Sequence, residues 1–149
     1  MNGKALPFVP PAKTPDYSIT PYRGTPDFLN DLNQTELVNK ASIPVEKIHG
    51  AVLLLSGEDD QVWPSSIMAD RVMKRLRDAG HPYRSEHVVY PGAGHLISPG
   101  AGPAVTEAKH PIGIVIAFGG SEAGNRAAQK AAWEKVMVFL RTDIQSQAP

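Results

Sequence analysis

Cysteine is absent from the 149-residue chain, which excludes disulfides, thiolate metal ligands and a cysteine nucleophile within it. Net charge is absent as well: 15 Lys and Arg balance 15 Asp and Glu, so no overall field favours nucleic acid or an anionic membrane. No apolar run approaches the roughly 20 residues of a membrane span, and no basic-then-apolar leader opens the sequence. We therefore expect a cytoplasmic protein that binds neither nucleic acid nor membrane.

The composition is that of a globular protein, with 42% hydrophobic and 20% charged residues in a length that suits one domain. Six prolines fall within residues 1–26, where each removes a backbone donor and favours extended geometry in the residue before it. The sequence therefore predicts an extended proline-rich arm over 1–26 and a folded part over 27–149.

A strand–helix–strand unit is the clearest local signal. Ala51 to Leu55 is an unbroken apolar run, typical of a strand buried on both faces, and Glu86 to Tyr90 is a second strand-like run. Between them, Pro64 to Ala79 has an apolar stripe at helical spacing, and Gly80 follows as a natural C′ residue. The unit predicts an α/β fold with two parallel strands.

The rest of the chain gives weaker signals. Helical spacing predicts one broken or two short helices over 27–41 and a last helix from Glu122 or Asn125 to Arg141. Residues 42–48 are expected to form a short turn of helix or a connector into the first strand. Ser121 is the favoured N-cap of that helix, with Asn125 as its rival. The apolar stretch Ile112–Phe118 is β-like but its state stays open, and the tail Gln145–Pro149 is expected to fray.

Acidic and imidazole side chains follow the two predicted strands. Glu58, Asp59 and Asp60 come after the first, and His95 comes after the second, within Pro91-Gly92-Ala93-Gly94-His95. Loops after neighbouring parallel strands emerge at one edge of the sheet, so an acid and His95 are expected to meet there. An Asp and a His in this chain order form the second half of a Ser–Asp–His triad.

Three motifs carry a family resemblance: Ile43-Pro44-Val45-Glu46-Lys47-Ile48, Gly57-Glu58-Asp59-Asp60-Gln61 with Trp63, and Tyr90-Pro91-Gly92-Ala93-Gly94-His95. They resemble the carboxy-terminal part of the acyl-CoA thioesterases and bile-acid-CoA:amino-acid N-acyltransferases, which are α/β-hydrolases related to dienelactone hydrolases. The resemblance covers nearly the whole chain and implies one partial α/β-hydrolase domain over 1–149. It also implies acyl-CoA-type substrates. We expect no cofactor and no metal.

By that resemblance, Asp60 is the triad acid and His95 the general base, because the acid usually lies three positions after the glycine at Gly57. Asp59 is the second choice, and Glu58 a surface residue or a helper. The family's nucleophile, Ser in the thioesterases and Cys in the acyltransferases, lies upstream of everything present here. No Gly-x-Ser-x-Gly occurs in the chain, and Ser121 follows His95, the wrong order for this fold.

Two functional hypotheses follow. The first is the carboxy-terminal half of an acyl-CoA thioesterase-like enzyme, inactive alone or active only with the missing amino-terminal half, because covalent acyl transfer needs the nucleophile. The second is a non-catalytic interaction or ligand-binding protein that dimerises through Ala51–Ser56. In both, a bare strand edge invites pairing.

Other conspicuous residues have plainer interpretations. The remaining histidines lack metal-ligand spacing, and His87 is expected on a face of the sheet. Trp63 and Trp133 are expected in the core or in a pocket wall. The cations of the first long helix are interpreted as a solvated face rather than a site for CoA phosphates: Arg71, Lys74, Arg75 and Arg77.

Overall fold

The structure is a computed structural model that describes residues 5–98, 100 and 102–146, with side chains as far as residue 142. In chain order the elements are α1 (Thr25–Leu32), α2 (Thr35–Ala41), a 3-10 turn (Val45–Lys47), β1 (Val52–Gly57), α3 (Ser65–Asp78), β2 (Ser85–Tyr90), β3 (Glu107–Lys109), β4 (Val115–Ala117) and α4 (Glu122–Ser146).

The centre of the molecule is the β1–α3–β2 unit. β1 and β2 pair in parallel from Val52 opposite Ser85 to Gly57 opposite Tyr90, as the strand–helix–strand pattern predicted. Among the described residues no other strand pairs with β1, so this sheet has two strands and its outer β1 edge is open. The chain therefore contains a mixed helix and strand arrangement around a small parallel sheet.

The two-stranded sheet lies between α3 and α4. Leu55 and Tyr90 point to one face, where they pack against a buried cluster that includes Ala128 of α4. Ser56 points to the other face, where its hydroxyl meets the Ser66 hydroxyl of α3. This alternation of side chains along β1 is the period-2 geometry of a strand covered on both sides.

α3 ends in a Schellman motif. Gly80, with φ of 63°, donates its N–H to the Arg77 carbonyl, and His81 donates to the Leu76 carbonyl. Leu76 is 1% exposed and anchors the last turn in the core. The helix thus stops where the sequence predicted, and it returns the chain to β2 at the correct end of β1.

The amino-terminal arm is more integrated than its proline content predicted. Residues 5–20 contain no helix or strand, but Tyr22 pairs with β4 through hydrogen bonds to Val115 and Ala117. α1 begins at Thr25, because Pro26 lies in the first helical turn, where its missing N–H costs nothing. The first helix therefore begins two residues before the predicted start at residue 27. Residues 1–4 lie outside the described residues.

Several other predicted boundaries need correction. Of the apolar stretch Ile112–Phe118, only β4 is a strand, paired antiparallel with β3, and Ile112 is 71% exposed in the turn between them. α4 continues past Arg141 to Ser146, so Gln145 and Ser146 are helical rather than frayed. Residues 147–149 lie outside the described residues. None of the helices in the described part is long and apolar enough to cross a membrane.

Candidate active site

Asp60 lies in the loop after β1 and is 6% exposed. Its Oδ1 accepts the backbone N–H groups of Val62 at 2.9 Å and Trp63 at 3.2 Å, which fixes the orientation of the carboxyl group. Its Oδ2 lies 3.1 Å from Nδ1 of His95. The acid is thus held by its own loop and directed at the imidazole.

His95 lies in the loop after β2. Its backbone N–H donates to the Phe118 carbonyl at 2.8 Å, and its ring meets the Trp63 ring edge-on with centroids 4.8 Å apart. Because Nδ1 is engaged by Asp60, Nε2 is the nitrogen on the free side of the ring. Among the described residues nothing hydrogen-bonds Nε2, and 23% of the side chain is exposed.

The protonation state of Asp60 follows from its neighbours. Burial by itself would raise the pKa of this carboxyl, but the hydrogen bonds from His95 and the Val62 N–H outweigh burial and leave the pKa below its usual value of 3.8. Asp60 is therefore ionised at neutral pH and acts only as an acceptor. Nδ1 of His95 must then be the nitrogen that carries the proton, which leaves Nε2 able to accept one.

The three acids of the loop have separate roles. Glu58 accepts the Gly92 N–H at 3.1 Å, which ties the acid loop to the start of the histidine loop. Asp59 accepts the Gly120 N–H at 2.9 Å. Only Asp60 contacts His95, so the second choice, Asp59, does not face the imidazole.

Two glycines, Gly94 and Gly119, lie where the histidine loop, the acid loop and the segment after β4 cross in close contact. This place is called the crossing below. Gly94 of the histidine loop packs against the Phe118–Gly119 backbone, and Gly119, with φ of 80°, packs against the Asp59 carbonyl. At both positions a Cβ would come closer to backbone atoms than the 3.0 Å that real Cβ atoms keep. The segment after β4 thus sits against both loops, and glycine is needed for this close approach.

The sequence favoured Ser121 as the cap of α4 and gave Asn125 as the alternative, and the structure confirms Ser121. Ser121 is the cap of α4, because its hydroxyl accepts the Gly124 N–H at 3.0 Å. Asn125 lies one turn inside the helix, is fully buried, and accepts the Gly94 N–H at 2.7 Å. The sequence did not predict this contact, because its partners lie in distant loops. The one local hint was the pair Gly119-Gly120, which indicates a close approach of backbone just before the helix.

Residues 18–146 match the protein family described as BAAT / acyl-CoA thioester hydrolase C terminal. The chain belongs to this family. The resemblance predicted from the three motifs is therefore confirmed.

Curated relatives agree with this membership. The chain is 39% identical over 109 residues to acyl-coenzyme A amino acid N-acyltransferase 1 of Mus musculus, which covers 72% of this chain and 26% of the relative. It is 36% identical over 117 residues to mouse acyl-coenzyme A thioesterase 2, mitochondrial, covering 77% of this chain and 26% of the relative. Mouse bile acid-CoA:amino acid N-acyltransferase is 31% identical over 145 residues, covering 96% of this chain and 34% of the relative. The chain thus spans about a quarter to a third of the length of these relatives.

A Ser–His–Asp chain of hydrogen bonds, separate from the Asp60–His95 pair, joins β1, β2 and α3. Ser56 Oγ is 2.8 Å from Nε2 of His87, and Nδ1 of His87 is 3.0 Å from Asp70. Ser56 is only 2% exposed and also contacts Ser66 Oγ. A hydroxyl enclosed in this way cannot meet a substrate, so the network joins α3 to the sheet, and His87 lies on a sheet face as predicted.

The remaining sequence candidates fall outside the contact between Asp60 and His95. Trp133 is half-exposed, so it does not lie in the core, which was one of the two positions predicted for it. Trp63 lies at the surface edge of the site, against His95. Lys74 pairs with Asp78 at 2.5 Å and Arg75 with Glu46 at 2.6 Å, on the exposed side of α3. Within the described ranges, no group of three or more His, Asp or Glu side chains could hold a metal ion.

Proposed function

We propose that this chain supplies the acid and base of an α/β-hydrolase-type triad that acts on acyl-CoA thioesters, with Asp60 as the acid and His95 as the base. The observation that carries the proposal is the contact of 3.1 Å between the two side chains, at the carboxyl ends of neighbouring parallel strands. The family supplies the substrate class, because its members include acyl-CoA thioester hydrolases such as mouse acyl-coenzyme A thioesterase 2.

The chemistry follows from the protonation states of the pair. Nε2 of His95 takes the proton of a Ser or Cys nucleophile as that group attacks the thioester carbonyl, and Asp60 stabilises the imidazolium that forms. The imidazolium returns that proton to the CoA sulfur as the tetrahedral intermediate collapses, and CoA leaves as the thiol. Water or an amine then attacks the acyl intermediate and loses a proton to Nε2, and that proton returns to the nucleophile as the acyl group is released. Whether hydrolysis or transfer follows depends on groups outside these residues.

The nucleophile is the part that the pair requires from elsewhere. No Gly-x-Ser-x-Gly occurs in the sequence, and Ser121 is engaged as the cap of α4. We therefore propose that the chain alone has no thioesterase activity, and that the nucleophile comes from another part of the protein or from a second chain. The oxyanion-binding amides must come from the same source.

A chimera tests the proposal. This chain replaces the matching carboxy-terminal part of mouse acyl-coenzyme A thioesterase 2, and release of the CoA thiol from palmitoyl-CoA and acetyl-CoA is followed with a thiol reagent. The variants are His95→Gln and Asp60→Asn, with His110→Gln, in the exposed turn between β3 and β4, as the matched control.

The chimera should hydrolyse at least one of the two thioesters, and His110→Gln should leave the rate unchanged. His95→Gln should lower kcat by roughly 10⁶-fold and Asp60→Asn by roughly 10⁴-fold, as in triads that lose the base or its acid. A folded chimera without activity, or one that His95→Gln leaves active, would contradict the proposal. Saturable hydrolysis of either thioester by the unaltered chain alone would contradict the proposal that the chain needs a nucleophile from elsewhere.

The open edge of β1 favours a second candidate function, a non-catalytic protein that dimerises. Within the described part of the chain, Val52–Gly57 pairs only with β2, which leaves the backbone groups of the other edge free for a strand of a second copy. Sedimentation at micromolar concentration tests this candidate. Leu53→Pro removes an N–H that faces the open edge, because alternate residues of β1, from Val52 to Glu58, are the ones that bond to β2. A compact dimer that Leu53→Pro converts to a folded monomer would support this candidate, and a monomeric unaltered chain would reject it.

A further inference from the structure

Asn125 is a buried polar residue that the proposed chemistry does not use. It is 0% exposed, and its side chain makes three hydrogen bonds to backbone groups of other segments. Oδ1 accepts the Gly94 N–H at 2.7 Å, and Nδ2 donates to the carbonyls of Val105 at 3.1 Å and Gly119 at 3.2 Å. The partners fix the amide orientation, since an N–H must face the oxygen and two carbonyls must face the nitrogen.

The position of these partners connects Asn125 to the site. Gly94 immediately precedes His95, and Gly119 follows Phe118, whose carbonyl accepts the His95 N–H. Asn125 therefore holds both sides of the crossing between the histidine loop and the segment after β4. A shift of Gly94 would carry the His95 imidazole with it, whereas Asp60 is fixed by its own loop.

We propose that Asn125 is a positioning residue for His95: by holding the Gly94 N–H, it keeps Nδ1 of the imidazole within hydrogen-bond distance of Asp60. A role for Asn125 in catalysis rests on the proposed function, but its hydrogen bond to the Gly94 N–H does not. The inference can therefore be tested on the unaltered chain without any measurement of turnover.

The readout is the Nδ1 proton of His95 in the NMR spectrum, which is shifted downfield and protected from solvent only while Asp60 holds it. Asn125→Ala removes the acceptor of the Gly94 N–H. Asn125→Asp retains an acceptor for Gly94 but turns a carboxylate toward two carbonyl oxygens, so it should lower stability. Ser121→Ala is the matched control, because it removes the hydroxyl that caps the same helix and keeps the backbone hydrogen bond from the Ser121 N–H to the Gly92 carbonyl.

We expect the His95 Nδ1 proton signal to be lost in Asn125→Ala and kept in Asn125→Asp and Ser121→Ala. Persistence of the signal in Asn125→Ala would overturn the proposal. Loss in both Asn125 variants, in step with their loss of stability, would show a purely structural role and would overturn it too.

If the Asn125 variants do not fold, hydrogen exchange in the unaltered chain tests whether the Gly94 N–H is held by Asn125. The Gly94 amide must then exchange far more slowly than the amide of Gly50, which lies in an open bend. Equal exchange rates would overturn the proposal. An inactive chimera together with these NMR results would reject the proposed function and leave the positioning contact intact.

Discussion

Replacing Gly94 by alanine tests whether the histidine loop is as closely packed as the structure shows. The backbone of Gly94 is outside the left-handed region, so the substitution adds a Cβ without forcing a strained φ. That Cβ would overlap the Phe118 carbonyl oxygen and the Gly119 carbonyl group. Both are backbone groups of another segment, which cannot rotate away as a side chain can.

The magnitude follows from a comparison with Gly50→Ala, whose Cβ would meet nothing within 4 Å. Both substitutions restrict the unfolded chain and should stabilise the protein by about 0.4–1 kcal/mol through that effect. Gly94→Ala alone adds an overpacking cost of about 1–3 kcal/mol. Because the obstructing atoms are backbone, we expect the upper half of that range. The free energy of unfolding of Gly94→Ala should therefore be about 2–3 kcal/mol below that of Gly50→Ala.

Thermal unfolding measured by circular dichroism is the assay. A difference of about 2 kcal/mol lowers the Tm of Gly94→Ala by roughly 4–8 °C relative to Gly50→Ala in a chain of this size. In the same samples the His95 amide resonance should move in Gly94→Ala, because its hydrogen bond to Phe118 lies at the overlap. Equal Tm values for the two variants would refute the close packing of the loops.

The pH dependence of stability should include a contribution from Asp60, whose pKa is held below 3.8 in the folded protein. As the pH falls, the unfolded chain takes up this proton first, so the stabilisation is present above about pH 4 and is lost as pH falls through the folded-state pKa. In Asp60→Asn the urea unfolding midpoint should depend less on pH between about pH 3 and 5 than in the unaltered chain. An unchanged dependence would contradict the lowered pKa of Asp60. Ser56→Ala should cost about 1–3 kcal/mol by leaving His87 Nε2 buried without its partner, yet should leave kcat of the chimera unchanged. A variant of normal stability whose turnover is lost would instead make Ser56 a nucleophile.

The β1–α3–β2 unit was predictable because its determinants are local. The apolar run of β1, the stripe of α3 and Gly80 each specify structure within a few residues. The meeting of Asp60 and His95 was predictable for a topological reason, since loops after parallel neighbours share one edge of the sheet. Family membership followed from the motifs in these same loops.

The rest depends on contacts between distant segments. β3 has an exposed sequence without an apolar pattern, and it is a strand only because β4 lies beside it. Asn125 makes hydrogen bonds to partners that lie 6, 20 and 31 residues away in the sequence. The periodic patterns that predict helices and strands do not reveal such contacts. The pairing of Tyr22 with β4 likewise joins the arm to a segment that is close only after folding.

The protonation of the His95 ring in the unaltered chain tests the central claim most directly. ¹⁵N NMR distinguishes a protonated Nδ1 from a protonated Nε2 at neutral pH. Pairing with an ionised Asp60 predicts the proton on Nδ1 and a free Nε2, and Asp60→Asn should abolish that preference. A proton on Nε2 in the unaltered chain, or the same spectrum with and without the Asp60 carboxylate, would contradict the role of these two residues as acid and base.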